Sequence, residues 1–452
     1  MSTLALWLQP LRTVNQSSAS PNRTVVVGAG IAGLIAAIEL HRSGRDVLVL
    51  EAAPEVGGRV RTTVIDGFRL DHGFQVLFTA YPTLNRYLDH AALDLRPFLP
   101  AARIVRDARS TAFVGDALAD FSLLLPSLAG GAIPVPDLWR MLRLRQFAMS
   151  LSLDECFAAR FAAITTRDFL AARGFSAATI NGFFAPFYGG ILLDRSLSTR
   201  ASVLLFTFKM LAEGRTAVPA HGMGAIPAQL AAQLPAASVR CNTRVRALLT
   251  TDGRASGVAL DDGTVLPAHD VVLAADLVTA RALTDTIALA LHEPRSILGC
   301  TTVYYSANTA LLPGRALWLN ARYDAVVSHA VTITEVARSY APSGRHLIAA
   351  TVLGEAATRD DSTLDASVRR DLGLMAPMPV SDTLSHVATW RVPLAQFAQP
   401  VLVAGAPASS SAHTALPHLW RASEVLHSSS LEGAARGGQQ AAHAVLTTRD
   451  HT

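Results

Sequence analysis

Lysine is almost missing from this chain. Of its 452 residues only Lys209 is one, so nearly all of the positive charge is arginine, and a chemistry that needs a lysine has a single residue to draw on. The net charge of +4 is small for this length. No dense basic run is interleaved with aromatics, which argues against a nucleic-acid partner. Cysteine is scarce as well: Cys156, Cys241 and Cys300 are odd in number and far apart. That excludes a disulfide framework and a metal-ligand spacing, and it fits a reducing, cytoplasmic setting. His413, His418 and His427 lie near one another without a regular ligand pattern, so no metal is expected. No uninterrupted apolar run reaches the roughly 18 residues that suggest a membrane-spanning helix. Residues 1–22 lack the basic start of a signal peptide and read as a loose extension.

What is present is half hydrophobic and long enough for more than one core. Val25-Val26-Val27 reads as a buried strand, Gly28-Ala29-Gly30-Ile31-Ala32-Gly33 as a turn, and residues 34–42 as a helix. A second strand, residues 46–50, ends at Glu51. Each glycine has a mechanical role: Gly28 allows the tight turn, Gly30 lets a pyrophosphate approach the backbone, and Gly33 lets helix and strand pack closely. Ile31 and Ala32 open the helix, whose unpaired N–H groups and positive dipole end favour an anion. Glu51 is placed for ribose hydroxyls. Strand, turn, helix, strand and acid in this order are far more specific for a dinucleotide than the glycines alone.

After Glu51 comes Ala52-Ala53-Pro54-Glu55-Val56-Gly57-Gly58-Arg59-Val60-Arg61-Thr62. This run resembles the amine oxidase and phytoene desaturase superfamily of FAD proteins. The resemblance implies a Rossmann-type FAD-binding domain interwoven with an α+β substrate domain, a helical cap plus a mixed sheet. It also places Gly57, Gly58 and Arg59 against the FAD pyrophosphate and ribityl chain. Residues 67–75 resemble the segment that approaches the flavin, which makes Phe74, Gln75 and Val76 candidates to line its ring. Residues 218–227 resemble a proline, GGMG and proline pattern, with His221 where a glycine is usual. Val245 takes the position whose backbone pairs with adenine.

The carboxyl-terminal motif departs from the family. Ser430-Leu431-Glu432-Gly433-Ala434 matches the start of the last helix, but six places earlier stands Ser423-Glu424 instead of Gly-Asp. Either Glu424, longer by one methylene, keeps a ribityl contact, or that contact is lost. Leu431 falls where a backbone N–H faces the flavin pyrimidine edge, at a helix end that stabilises negative charge.

The texture of the chain suggests weaving. Residues 23–95, 214–290 and 405–452 are assigned to the FAD domain, and residues 96–213 and 291–404 to the substrate domain. Leucine, alanine and arginine with proline breaks predict helices from about residue 96 to 213. Residues 301–305 and 346–353 alternate and predict strands.

A flavin accepts hydride, and the protein supplies orientation and electrostatics. The expected reaction is dehydrogenation of an apolar or partly apolar small molecule, with oxygen, a quinone or a carrier as external acceptor, since no second GxGxxG offers a reductase domain. Many relatives hold a lysine near the flavin through a water, but Lys209 matches a cap or surface position. The alternatives are an amine oxidase without that lysine and a non-redox or degenerate flavin binder. Tyr304, Tyr305, Trp318 and Trp390 furnish either an aromatic wall or ordinary core. Trp390-Arg391-Val392-Pro393 resembles a segment near the flavin in bacterial relatives. It makes Trp390 and Arg391 catalytic candidates, beside Tyr304 from the aromatic wall, against a reading of Arg391 as a partner for an interface carboxylate. Residues 121–149 form a basic amphipathic stretch that either rests on an anionic membrane or packs on the cap.

Overall fold

The computed structural model describes residues 22–107, 110–291, 294, 296–377, 384–402 and 411–448. The loose extension expected at the amino terminus, apart from Asn22, and the boundary at residue 405 lie outside the described residues. Val25, Val26 and Val27 are buried in the strand Arg23–Val27, which pairs in parallel with Asp46–Leu50 on one side and Asp270–Leu273 on the other. Val239–Arg240 and Leu419–Arg421 complete a five-stranded parallel sheet. Strands buried on both faces need continuous apolar runs, and Val-Leu-Val-Leu and Val-Val-Leu supply them. The helix Ile31–Arg42 covers one face together with the carboxyl-terminal helix Leu431–Thr447. These two helices approach closely because Gly438 has no side chain: a Cβ there would stand 2.3 Å from the Ala32 carbonyl oxygen.

The second sheet has seven strands in the order Ser385–Phe397, Ile297–Ala307, His346–Leu353, Val327–Thr332, Leu317–Asn320, Ala101–Asp107 and Ser110–Gly115. One contact, Leu317–Asn320 with Ala101–Asp107, is parallel and the rest are antiparallel. The helix Asp361–Met375 buries Leu364, Val368 and Leu372 against one face, in a cluster with Val303, Tyr305 and Ile348. The chain passes from the first sheet to the second, returns at residue 239, leaves again, and comes back at residue 419.

The expectation of helices from residue 96 needs correction. Residues 101–115 are a hairpin on the edge of the second sheet, and longer helices begin only afterwards, with Val135–Ser150 and Ala201–Glu213. Ala102, Ile104 and Ala112 alternate into a core, a period of two that the surrounding leucine and arginine obscure. Their partners at residues 317–320 are about two hundred positions away, so local composition carried no sign of the pairing.

Candidate cofactor and substrate cavity

A cavity of about 1240 Å³ is lined by residues of both sheets. It exceeds the roughly 300–1,000 Å³ usual for one small ligand, so there is room for more than one molecule. Its floor is the glycine turn. Gly28, at φ 106°, brings the chain so close to the next strand that a Cβ would lie 2.7 Å from the Ala274 carbonyl oxygen. A Cβ on Gly33 would lie 2.0 Å from the Gly28 oxygen. Gly30 differs: a Cβ there meets nothing within 4 Å, and the residue faces the cavity. Gly33 is the packing glycine and does not line the cavity, whereas Gly28, Gly30, Ile31 and Ala32 do.

Glu51 lines the cavity and also fastens the turn. Its Oε2 accepts from the Ala29 N–H at 2.8 Å and its Oε1 from the Ala53 N–H at 2.8 Å. A carboxylate offers about four acceptor sites, so two remain for a sugar. The Gly57-Gly58 doublet lies directly on the fingerprint: the Gly57 N–H donates to the Ala29 oxygen at 2.8 Å, and Gly30 and Gly57 form a parallel bridge. Both glycines have positive φ, 122° and 59°, and at Gly57 this conformation favours glycine strongly in the turn that aims Arg59 along the cavity.

Arg59 donates from Nη1 to the Ala395 oxygen at 3.1 Å and from Nη2 to Glu424 Oε1 at 2.5 Å. Glu424, buried, therefore meets the arginine of the GG-Arg run, and both line the cavity. Ser430 caps the last helix by accepting from the Gly433 N–H at 2.9 Å, and Leu431 opens that helix at the cavity wall. Behind it, buried Glu432 accepts from the Thr83 and Leu84 N–H groups, and burial raises its pKa. Val245 lines the cavity beside Thr243 and Arg244.

Phe74, Gln75 and Val76 also line the cavity. Gln75 donates from Nε2 to the Arg59 oxygen at 2.7 Å and to the His72 oxygen at 3.1 Å, while its buried Oε1 has no partner among the described residues. Glycine positions open to the cavity, a capped helix terminus and an acceptor held without a partner together fit an extended dinucleotide with a hydrogen-bonding ring.

The three expected catalytic residues do not line the cavity. Tyr304 is fully buried and donates to the Asp71 backbone oxygen at 2.9 Å. Asp71 in turn accepts from Thr62 Oγ1 at 2.5 Å, the Met223 N–H at 2.9 Å and Tyr340 at 2.9 Å. Tyr304 thus braces a junction, and residues 222–224 pack on the same junction instead of reaching the cavity. Burial pushes Asp71 up to about 6, against the lowering effect of its hydrogen bonds. Trp390 stacks on His72 at 4.1 Å and stands behind it, since His72 is the cavity-facing member. Arg391 points away: Nη2 donates to the Arg359 oxygen at 2.8 Å and pairs with Asp361 at 2.6 Å.

Sequence reading missed His329. It lies in the strand Val327–Thr332, lines the cavity, and meets Phe74 edge-on at 5.1 Å. Only the period of that strand, with Ala330 turned to the opposite core, marks the side it takes. Lys209 donates to the Met149 oxygen at 3.2 Å and to Glu213 at 2.6 Å, outside the cavity lining. His269, Asp270 and His418 come together elsewhere, but Asp270 already accepts from Trp420 Nε1 at 2.9 Å and contacts the histidines at 2.8 and 3.2 Å. That cluster ties the ends of two adjacent strands.

Known proteins share parts of this sequence and its fold. A 39% identical stretch of 82 residues links the chain to L-amino-acid oxidase of Sistrurus catenatus edwardsii, covering 18% of this chain and 16% of that one. Putrescine oxidase of Kocuria rosea is 41% identical over 83 residues, 18% of this chain and 17% of the relative. These matches span about a sixth of the relatives' length. An oxidoreductase structure from Methanosarcina mazei has the same fold, with a TM-score of 0.72 at 18% identity over 94% of this chain and 100% of that one. The family model described as flavin containing amine oxidoreductase matches residues 31–446. Family membership brings FAD as the cofactor, and the chain belongs to the flavin-containing amine oxidoreductase family.

Proposed function

We propose that this protein dehydrogenates an apolar or partly apolar small molecule, with FAD along the glycine floor and the substrate in the aromatic chamber beyond Phe74. The observation that carries this reading is the continuity of one large cavity from Gly30 and Glu51 to Phe183, Phe187, Leu317 and Met141. FAD, when bound, supplies a hydride acceptor. Gly30 and Gly58 give the pyrophosphate room, Glu51 takes the ribose, and Val245 faces the adenine. Arg59 and Glu424 hold the ribityl region, and Leu431 presents the helix terminus to the ring. The proposed division is residues 23–95, 214–290 and 405–452 for FAD and 96–213 and 291–404 for substrate, and it is supported by the described strands of the parallel sheet falling in the first set and those of the seven-stranded sheet in the second. Lys209 stands outside the chamber, which favours a dehydrogenase over an amine oxidase that depends on lysine.

The exposed apolar residues at the rim of the chamber support a protein that works at a membrane surface. Leu118, Phe121, Leu125, Leu128, Val135 and Trp139 are exposed, Phe121 by 79% and Trp139 by 66%, and Leu118 and Leu128 also line the cavity. No helix among the described residues is long and apolar enough to cross a membrane. Flotation with vesicles of phosphatidylglycerol and phosphatidylcholine checks the contact: Phe121→Ser with Trp139→Ser should abolish co-flotation. For the reaction, candidate substrates should bleach the flavin absorption under anaerobic conditions, and hydrogen peroxide release in air separates oxygen from another acceptor. A flavin that no apolar substrate bleaches, but that amines do, would replace this reading with an amine oxidase.

A further inference from the structure

A buried polar side chain without a partner is uncommon and calls for an explanation. His329 is 4% exposed, and neither ring nitrogen has a hydrogen-bond partner among the described residues. It sits at the cavity wall, fixed from two sides. Phe74 meets its ring edge-on, and Gly190 leaves it space, since a Cβ on Gly190 would lie 2.9 Å from Nδ1. Phe74 is itself held through its N–H, which donates to Thr302 Oγ1 at 3.1 Å. The surrounding wall is apolar, with Phe98, Phe187 and Leu317. Burial and the nearby Arg195 guanidinium keep the imidazole neutral, with a pKa lowered to about 4. A neutral imidazole has one donor and one acceptor nitrogen. Arg195 is occupied by the Asn320 oxygen at 2.9 Å and does not line the cavity, so it offers no anion site there.

We infer that His329 is the polar anchor of the substrate chamber, and that the substrate is a largely apolar molecule with one uncharged oxygen, a hydroxyl or a carbonyl, hydrogen-bonded to that imidazole. Neutral imidazole serves both groups, by accepting from the hydroxyl or donating to the carbonyl. A cationic head would meet the field of Arg195, and a hydrocarbon would leave the imidazole without a partner. The inference rests on the substrate lying in the chamber beyond Phe74, as proposed above.

The test uses the oxidised, FAD-loaded protein with 1-octanol, 2-octanone and octane as probes, their binding followed by saturation-transfer NMR. The parent should bind both oxygen-bearing probes about 10-fold more tightly than octane, as expected for one buried hydrogen bond. His329→Leu should erase that preference while leaving octane within about 3-fold of the parent, and His329→Gln, which keeps a donor and an acceptor, should restore much of it. Without ligand, His329→Leu should melt no lower than the parent, because it removes an unsatisfied group. Equal binding of octanol by parent and His329→Leu, no binding of octanol by the parent, or a melting temperature lowered by more than about 5 °C in the leucine variant would overturn the inference. No turnover is involved, so a failure here leaves the redox reading standing. A flavin that nothing reduces leaves this binding result intact.

Discussion

Arg59 and Glu424, 365 residues apart in sequence, meet at 2.5 Å across the cavity wall. The pair joins the GG-Arg turn to the segment before the last helix, at the place where relatives are expected to have Gly-Asp. Glu424→Ala should weaken FAD binding by about 10-fold or more, or ~1.4 kcal/mol, because it removes a charge-assisted hydrogen bond and leaves the guanidinium unpaired. Glu424→Asp should be mild. Since the two residues act as one unit, Arg59→Ala with Glu424→Ala should cost less than the sum of the single changes. Equilibrium dialysis against FAD reads all of these, and additive losses would show that the residues act separately.

The three fingerprint glycines should separate by mechanism. Gly33→Ala drives a Cβ into the Gly28 carbonyl and should cost about 1–3 kcal/mol of stability, as overpacking does, with FAD lost as a consequence. Gly30→Ala meets no protein atom, so it should keep the stability of the FAD-free protein within about 1 kcal/mol and lower FAD occupancy. Thermal melts of both variants beside their flavin content check the distinction. A strongly destabilised Gly30→Ala would mean that its open space serves the fold instead of a ligand.

Acid stability carries two opposing contributions. The His329 imidazole titrates near 4 in the folded protein against 6.5 when unperturbed, so between these values the unfolded chain binds more protons. Its contribution is therefore lost as the pH falls through that window. Asp71 behaves in the opposite sense: raised from 3.8 to about 6, it stays protonated longer in the folded state, and its contribution is lost as the pH rises from 3.8 toward 6. His329→Leu should remove the first and keep the second. Relative to the parent it should gain up to ~3 kcal/mol as the pH falls from 6.5 to 4, although His427, also lowered to about 4, still acts in both proteins. Urea midpoints across this range provide the comparison, and parallel curves would place His329 outside this titration.

Tyr304→Phe and Arg391→Ala should both spare catalysis, for different reasons. The tyrosine change removes a buried donor and should lower stability by about 1–3 kcal/mol with kcat nearly unchanged. The arginine change breaks a partly exposed ion pair and should cost no more than about 1 kcal/mol. Steady-state kinetics beside thermal melts distinguish these outcomes from a direct catalytic role.

The dinucleotide turn, its cofactor type and the first two strands of the parallel sheet were legible in the amino-acid sequence. Their contacts are short in sequence: Ala29 to Glu51, Gly28 to Gly33 and Ala29 to Gly57 all lie within one strand, turn, helix and strand, where glycine placement and apolar runs dictate the backbone. The tertiary structure alone decided which side chains face the chamber. Tyr304 and His329 are both ring residues on strands of one sheet, yet Tyr304 is engaged by Asp71, from residue 71, while His329 is left free against Phe74. Likewise Glu424 became the partner of Arg59, and residues 101–107 became a strand, only once distant segments closed on them. Pairings of that kind depend on the packing of the whole chain, and no local spacing in the sequence encodes them.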